Sequence, residues 1–161
     1  LDFYQAAGAR AEARLARQIR PATPATPVTP PGRPPGPPAT AGPSLPELPS
    51  AAQALAWARA ERASLLACLG RTTEPRRIVE LTAALTELLR RDGPWTDAMT
   101  RHAAAVLAAR RLGDPVEEAN ARIDLGTVHR LAGDYGAAEQ EFDQAEAELA
   151  AVLSRKKKRA R

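Results

Sequence analysis

The chain has 161 residues, of which 44% are hydrophobic and only 4% aromatic, and its formal net charge is +4. This length allows one domain, or a small domain with a tail. No apolar run approaches the roughly 20 residues that a membrane-spanning helix needs. One cysteine and two histidines supply neither an internal disulfide nor the roughly four ligands of a structural zinc site. The composition excludes these classes and predicts a soluble, cytoplasmic helical protein.

Residues 1–19 predict an amphipathic helix, because apolar residues recur at every fourth position. These residues are Phe3, Ala7, Ala11, Leu15 and Ile19. Residues 20–49 predict a disordered linker, since 12 of the 15 prolines stand there and no apolar periodicity is present. We therefore expect the first helix to be a lone element, separated from the rest of the chain.

Residues 50–153 predict a domain of five helices. Ser50 and Gln53 form a capping-box pattern before the first helix, predicted at 51–69, which Gly70 should end. The other four helices are predicted at 76–91, 95–112, 116–132 and 135–153, each with apolar residues at steps of three and four. Gly133 and Asp134 leave so short a connection that the last two helices should form an antiparallel hairpin.

The last four of these helices repeat when the sequence is shifted by 40 positions, which aligns Gly93 with Gly133 and Ala98 with Ala138. The second copy resembles the tetratricopeptide repeat at its leucine, glycine, aromatic and small-residue positions. The matching residues are Leu125, Gly126, Gly133, Tyr135, Ala138, Phe142 and Ala145. Gly126 and Ala138 would let two helices approach closely, while Tyr135 and Phe142 would fill the gap to a further hairpin. The sequence departs from the pattern at Arg122, which stands at the usual tryptophan position.

The resemblance implies an all-α fold: a tetratricopeptide-like helical-hairpin array, or α-solenoid, preceded by the proline-rich linker and the lone N-terminal helix. It also implies a protein-binding groove lined by the first helices of the hairpins. The expected groove residues are Thr82, Thr86, Asn120, Asp124 and Thr127. Two hairpins fall short of the roughly three repeats that such arrays need. We therefore expect an exposed stacking face on the last helix, around Phe142, Leu149 and Val152, which would lead to self-association.

A wider part of the chain is similar to the region that joins the nucleotide-binding (NB-ARC) module to the tetratricopeptide repeats in large actinobacterial transcriptional regulators of the antibiotic regulatory protein type. The similarity runs from Phe3 and Tyr4, through Trp57 and Arg62, to the segment 109–114. It implies that residues 1–19 are a remnant of a winged-helix module and that the chain is a fragment, which its first residue, Leu1, also suggests. The implied context is transcription regulation and signal transduction.

The sequence offers no catalytic constellation and no cofactor or metal site, so we predict that the chain is not an enzyme. His102 and His129 stand at apolar repeat positions without ligand partners at metal-binding spacing, and Cys68 has no neighbour that would activate it, so packing roles are expected for all three. There is no phosphate loop and no helix-turn-helix reading head. DNA would be contacted only through a parent regulator, or through the tail.

The basic tail, residues 154–161, accounts for the high net charge. It holds six of the 23 basic residues, which leaves 17 basic against 19 acidic residues elsewhere. Its nonspecific anion-binding residues are Arg155, Lys156, Lys157, Lys158 and Arg159. The tail could bind nucleic acid or anionic lipid by charge alone, or favour the end of the last helix through the helix dipole.

The last helix also carries an acidic set, which would either receive a basic peptide or form a solvated outer face. The set comprises Glu139, Glu141, Asp143, Glu146 and Glu148. The sequence thus predicts a non-catalytic protein-interaction or sensor module of a bacterial transcriptional regulator. The alternative is a small nucleic-acid-associated protein that binds nonspecifically through its basic tail.

Overall fold

A computed structural model describes residues 1–15 and 44–159, apart from the side chains of Lys156 and Arg159. Its helices are α1 (Asp2–Leu15), α2 (Ala51–Ala60), α3 (Arg62–Arg71), α4 (Pro75–Asp92), α5 (Trp95–Leu112), α6 (Pro115–Leu131) and α7 (Tyr135–Arg159). These described ranges contain no strand, so the expected all-helical class is confirmed for them. None of the described helices combines the length and apolarity that a membrane crossing requires. Most of the predicted linker, and residues 16–19 of the predicted first helix, lie outside the described residues.

The helix boundaries follow from local capping chemistry. The hydroxyl oxygen of Ser50 accepts a hydrogen bond from the Gln53 backbone N–H at 3.2 Å, which fixes the start of α2. Asp114 does the same for α6, since its Oδ1 accepts from the backbone N–H groups of Val116 and Glu117, each at 3.1 Å. The chain turns after α5 at Gly113, which ends the helix with a φ of 66°. These signals are local, and they account for the agreement between predicted and observed limits at the start of α2, the end of α5 and the start of α6.

The prediction of a single helix at 51–69 is corrected in two respects. The chain leaves helical geometry at Glu61, and the helix does not end at Gly70. Glu61 leaves helical geometry with φ −91° and ψ 7°, although its N–H still donates to the Trp57 carbonyl at 2.9 Å. The bend lets α2 pack on α1 through Ala54 while α3 packs on α4. Gly70 does not adopt the positive φ of a helix-ending glycine, and α3 continues to Arg71.

The lone N-terminal helix is a second correction, since α1 packs against α2, α3 and α4. Ala7 and Ala11 are buried, and Ala11 shares an apolar cluster with Leu48 and Ala54. A Cβ built at Gly8 would lie 3.1 Å from the Ala84 Cβ, so α1 and α4 approach closely at this point. The face that the sequence left without a partner is therefore covered by the helical domain.

Polar contacts show that α1 runs parallel to α4. Arg77 Nη1 donates to Asp2 Oδ1 at 2.6 Å, and Gln5 Nε2 donates to a carboxylate oxygen of Glu80. At the other end of α1, the backbone N–H of Glu87 donates to Glu12 Oε2 at 3.2 Å. In each of these pairs the residues are 75 positions apart, which is possible only if the two helices point the same way.

The remaining helices pack in chain order, and the first helices of the two hairpins are also neighbours. α4 contacts α5 and α6, and α6 contacts α7, whereas α5 and α7 make no contact within the described residues. Residues that the repeat aligns occupy equivalent places: Leu85 and Leu125 are buried in α4 and α6, and Ala98 and Ala138 are buried in α5 and α7. The arrangement of α1 with its neighbours is similar, because α1 contacts α4 as α4 contacts α6.

One apolar core runs from α2 to α6. Its buried members are Ala58, Leu65, Leu69, Leu81, Leu85, Leu88, Leu89, Ala98 and Val128. Tyr4 of α1 packs against the same cluster, with its ring 5.3 Å from that of Phe3 in an edge-to-face arrangement. In the described chain Tyr4 therefore contributes to the core of the helical domain.

Replacing Gly8 with leucine tests the docking of α1. If α1 is docked, Gly8→Leu overpacks its contact with Leu65 and Ala84, and the free energy of unfolding falls by about 1–3 kcal/mol. A free helix would instead gain stability from the better helix former, by roughly 0.5–1 kcal/mol. The measurement is denaturant unfolding followed by circular dichroism. Gly70→Leu, in open space on α3, is the matched control and should leave stability unchanged or slightly higher.

Candidate functional site

Four of the five expected groove residues come together where α4, α5 and α6 meet. Thr82, Asn120 and Asp124 line a cavity of about 10 Å³, which also touches His102. Beside it the Thr86 hydroxyl donates to Asp124 Oδ2 at 3.2 Å. This volume is room for about one water molecule. The cavity is a packing space between helices and is too small to hold a peptide.

Exposure divides the expected groove residues into two groups. Thr82, Thr86 and Asn120 are buried, with at most 8% of their surface exposed. Asp124 and Thr127 on α6 are partly exposed, and the Thr127 hydroxyl donates to the Ile123 carbonyl at 2.8 Å. Asp124 and Thr127 are therefore the members of this set that a partner could contact without repacking the helices.

A wider groove lies between α3 and α5, above α4. Its volume is about 330 Å³, and Leu69, Ile78, Thr82, Thr100 and Arg101 contribute to its walls. The buried Thr82 hydroxyl oxygen has no hydrogen-bond partner in the part of the chain that the structure describes. This groove is at the lower limit of the volumes typical of small-molecule sites. Nothing in the sequence pattern indicated it, because its walls come from three separate helices.

A cluster of linked charged side chains surrounds Arg122 on α6. This residue is 4% exposed, and its guanidinium reaches three carboxylates. Nη2 donates to Glu118 at 2.8 Å, Nη1 to Glu141 at 2.8 Å, and Nε to Glu148 at 3.1 Å. Arg110 of α5 also contacts Glu118, at 2.8 Å. The cluster ties α5, α6 and α7 together through charge-assisted hydrogen bonds.

Burial and charge act in different proportions on the groups of this cluster. Burial raises the pKa of Glu118, but hydrogen bonds from Arg110 and Arg122 outweigh it and hold that pKa below its usual range. Burial raises the pKa of Glu148, and the nearby Glu118 charge adds to this effect while Arg122 opposes it, so that pKa lies above its usual range. Burial would lower the pKa of Arg122, but its three carboxylate partners raise it. Arg122 is therefore a permanent buried cation.

Sequence reasoning missed this cluster, although two features pointed to it. Glu141 and Glu148 are seven positions apart and share one face of α7. Arg122, at a position where the repeat resemblance predicts a tryptophan, faces them from α6. The acidic set of α7 is thus split, because Glu141 and Glu148 face Arg122 whereas Glu139, Asp143 and Glu146 are exposed.

The repeat-defining residues cluster where α6 crosses α7. Leu125, Ala138 and Ala145 are buried, and Gly133 turns the chain with a φ of 85°. A Cβ built at Gly126 would lie 2.8 Å from the Phe142 ring and 3.1 Å from the Ala138 carbonyl oxygen, so only glycine fits this approach. Tyr135 differs from its expected packing role, since it is 70% exposed at the start of α7.

The other singled-out residues lie apart from one another. His102 is fully buried in α5, and His129 Nδ1 lies 3.5 Å from Asp134 Oδ2 at the α6–α7 turn. Cys68 is a partly buried free thiol that packs against the main core. Among the described residues no group of three or more histidine, cysteine, aspartate or glutamate side chains is arranged to hold a metal ion.

The basic tail is helical over most of its length, which corrects the predicted end of the last helix at residue 153. α7 continues to Arg159, and Arg155, Lys157 and Lys158 are exposed on it. The Arg155 Nε donates to the Ala151 carbonyl one turn earlier, at 3.3 Å. The tail cations thus extend a helix rather than follow it.

No protein-family model, curated protein or solved structure matches this chain.

Adding one methyl group at Gly126 tests the α6–α7 contact. Gly126→Ala should lower the free energy of unfolding by about 1–3 kcal/mol, because its Cβ would overlap the Phe142 ring. Phe142→Leu in the same chain should recover part of this loss, and a double-mutant cycle measures the coupling. Gly70→Ala is the control. Equal effects of Gly126→Ala and Gly70→Ala would contradict the close approach.

The Arg122 cluster predicts opposite effects of two matched substitutions. Because the pKa of Glu148 is raised, the folded chain favours its neutral form, and Glu148→Gln should increase the free energy of unfolding at pH 7. This gain should shrink as the pH falls through the raised pKa of the wild-type carboxyl, because Glu148 in the folded chain takes up its own proton above its usual range. Glu141→Gln removes a charge that accepts from Arg122 at 2.8 Å and should destabilise the fold. Urea unfolding between pH 4 and 8 measures both, and a larger loss from Glu148→Gln would contradict the assignment.

Proposed function

We propose that the chain is a non-catalytic protein-interaction module that binds a protein or peptide along the exposed surface of its hairpin first helices. In this proposal the helices form an array of tetratricopeptide type. The mechanism is complementarity of shape and charge, without bond chemistry. Asp124 and Thr127 of α6 are the residues we assign to partner contact.

The observation that carries the proposal is the parallel arrangement of α1, α4 and α6. Pairs 75 positions apart join α1 to α4. Between α4 and α6 the spacing is 38 positions: Thr82 and Asn120 line one cavity, and Thr86 donates to Asp124. Helical hairpins stacked with their first helices side by side create the extended surfaces that repeat proteins use for binding. With α1 in place the array has three units, which is the number that such folds need for stability.

A rigid support beneath the proposed contact residues favours the same function. The Arg122 cluster joins α6 to α5 and α7, and Gly126 brings α6 close to α7, so the α6 surface is held from behind. A surface that is ordered before binding loses less conformational entropy when a partner arrives. Thr127 and Asp124 lie on this supported helix.

The regulatory context rests on sequence resemblance alone. The similarity to the region that follows the NB-ARC module in actinobacterial regulators leads us to propose that the module senses a protein partner in the cytoplasm. DNA would then be reached through a parent regulator.

Two matched threonine substitutions test the proposal. Peptides selected from a displayed random library against the full chain should bind Thr127→Arg at least about tenfold more weakly, because the arginine occupies the partner surface. Thr100→Arg is the control. Like Thr127, Thr100 donates its hydroxyl to the backbone carbonyl four residues earlier, here at 3.0 Å, but it lies on α5 and lines the groove between α3 and α5. Titration calorimetry measures the affinities. A loss with Thr100→Arg and none with Thr127→Arg would place binding in the α3–α5 groove and overturn the assignment.

A further inference from the structure

The outer face of α7 has no partner in the described chain. α7 has 25 residues and its hairpin partner α6 has 17, so α7 projects beyond α6 by roughly 12 Å at 1.5 Å per residue. Leu153 on the projecting part is 67% exposed. Buried Ala138 and Ala145 mark the side of α7 that faces α6. The opposite side of α7 is a long face that is exposed to solvent and has apolar residues in its middle.

This outer face is a single stripe, because its members follow one another at steps of three and four residues. All of them are exposed: Glu139, Asp143, Glu146, Ala147, Ala150, Leu153, Ser154 and Lys157. The stripe is acidic toward its N-terminal end, small and apolar in the middle, and basic toward its C-terminal end. We call it the α7 outer stripe.

The acidic residues of the α7 outer stripe form no salt bridge with another described residue. Within the part of the chain that the structure describes, no salt bridge includes Glu139, Asp143 or Glu146. The helix dipole does not account for their placement, since its effect falls off within the first turn and Asp143 and Glu146 lie beyond it. Because the two ends of the stripe carry opposite charges, the stripe is complementary to the stripe of a second copy that runs antiparallel to it.

We propose that two copies of the chain pair through their α7 outer stripes, antiparallel, about a twofold axis at Ala150. Asp143 and Lys157 are seven residues before and after Ala150, so each would face the other residue type in the second copy. Leu153 would pack over Ala147 of the other copy, and Ala150 lets the helices approach at the axis. A twofold axis makes both charge pairs form at once, which is the self-complementarity that a symmetric dimer needs.

The pairing leaves the proposed binding surface free. The α7 outer stripe contains neither Asp124 nor Thr127, so a dimer would carry two copies of that surface. If the chain does not dimerise, the proposed function is therefore unaffected, because it is tested separately. A single pair of helices is a small interface, so we expect a dimer that dissociates on dilution and weakens with salt.

Charge exchange across the proposed axis is the decisive experiment. Sedimentation equilibrium of the full chain should show a monomer–dimer equilibrium that weakens at least about tenfold between roughly 0.05 and 0.5 M salt. Asp143→Lys and Lys157→Asp should each weaken the dimer about tenfold or more, because each places two like-charge pairs at the interface. The double variant Asp143→Lys/Lys157→Asp should restore the wild-type dissociation constant to within about threefold.

Lys158→Asp is the matched control, since Lys158 is exposed on α7 but lies beside the stripe, and it changes the net charge by the same amount. It should alter dimerisation by less than about threefold. A wild-type chain that stays monomeric, or a double variant that does not recover, would overturn the proposal. A monomer that binds a short DNA duplex through Lys157 and Lys158 equally would assign the tail to polyanion binding instead.

Discussion

The whole array depends on helices coming closer together than ordinary side chains allow. At Gly126 there is no room for a Cβ beside Phe142 and the Ala138 backbone, and at Gly8 a Cβ would press on Ala84 and Leu65. Alanine supplies half of the apolar residues, and large aromatic residues are few. Such a core gains stability from many close backbone approaches, so each contact position tolerates little added volume.

The second constraint is electrostatic, and it comes from the buried cation of Arg122. Arg122 is surrounded by Glu118, Glu141 and Glu148, which lie on two helices. A buried guanidinium is stable only when its donors are all directed at acceptors, so the cluster fixes the relative position of α6 and α7 more strictly than an apolar residue would. Burial raises the pKa of Glu148, whereas at Glu118 the hydrogen bonds from Arg110 and Arg122 outweigh burial and lower the pKa.

The N-terminal helix changes the size of the array. α1 is separated from α2 by residues 16–50, yet it lies parallel to α4. Its Tyr4 packs against the main apolar core, and its Ala7 is buried. When α1 docks on the other helices, the conformational entropy lost in closing the intervening segment opposes docking. This entropy cost grows only slowly with the length of the segment. The packed helices therefore begin at α1 and not at α4. At the other end of the described helices lies α7, whose outer face the first helices do not cover.

The sequence alone determined the helices and the repeat, because both are local or periodic properties. Ser50, Asp114, Gly113 and Gly133 mark helix limits through their own backbone chemistry, and the 40-residue shift places Leu85 with Leu125 wherever the hairpins lie. The same reasoning was wrong about the bend at Glu61, which serves contacts with two different helices, and about the end of α7. Only the tertiary structure decided the partner of α1, the burial of Thr82, Thr86 and Asn120, and the cluster around Arg122. Each of these depends on residues far apart in the chain, and a periodic pattern shows which face of a helix is apolar but not which helix covers it.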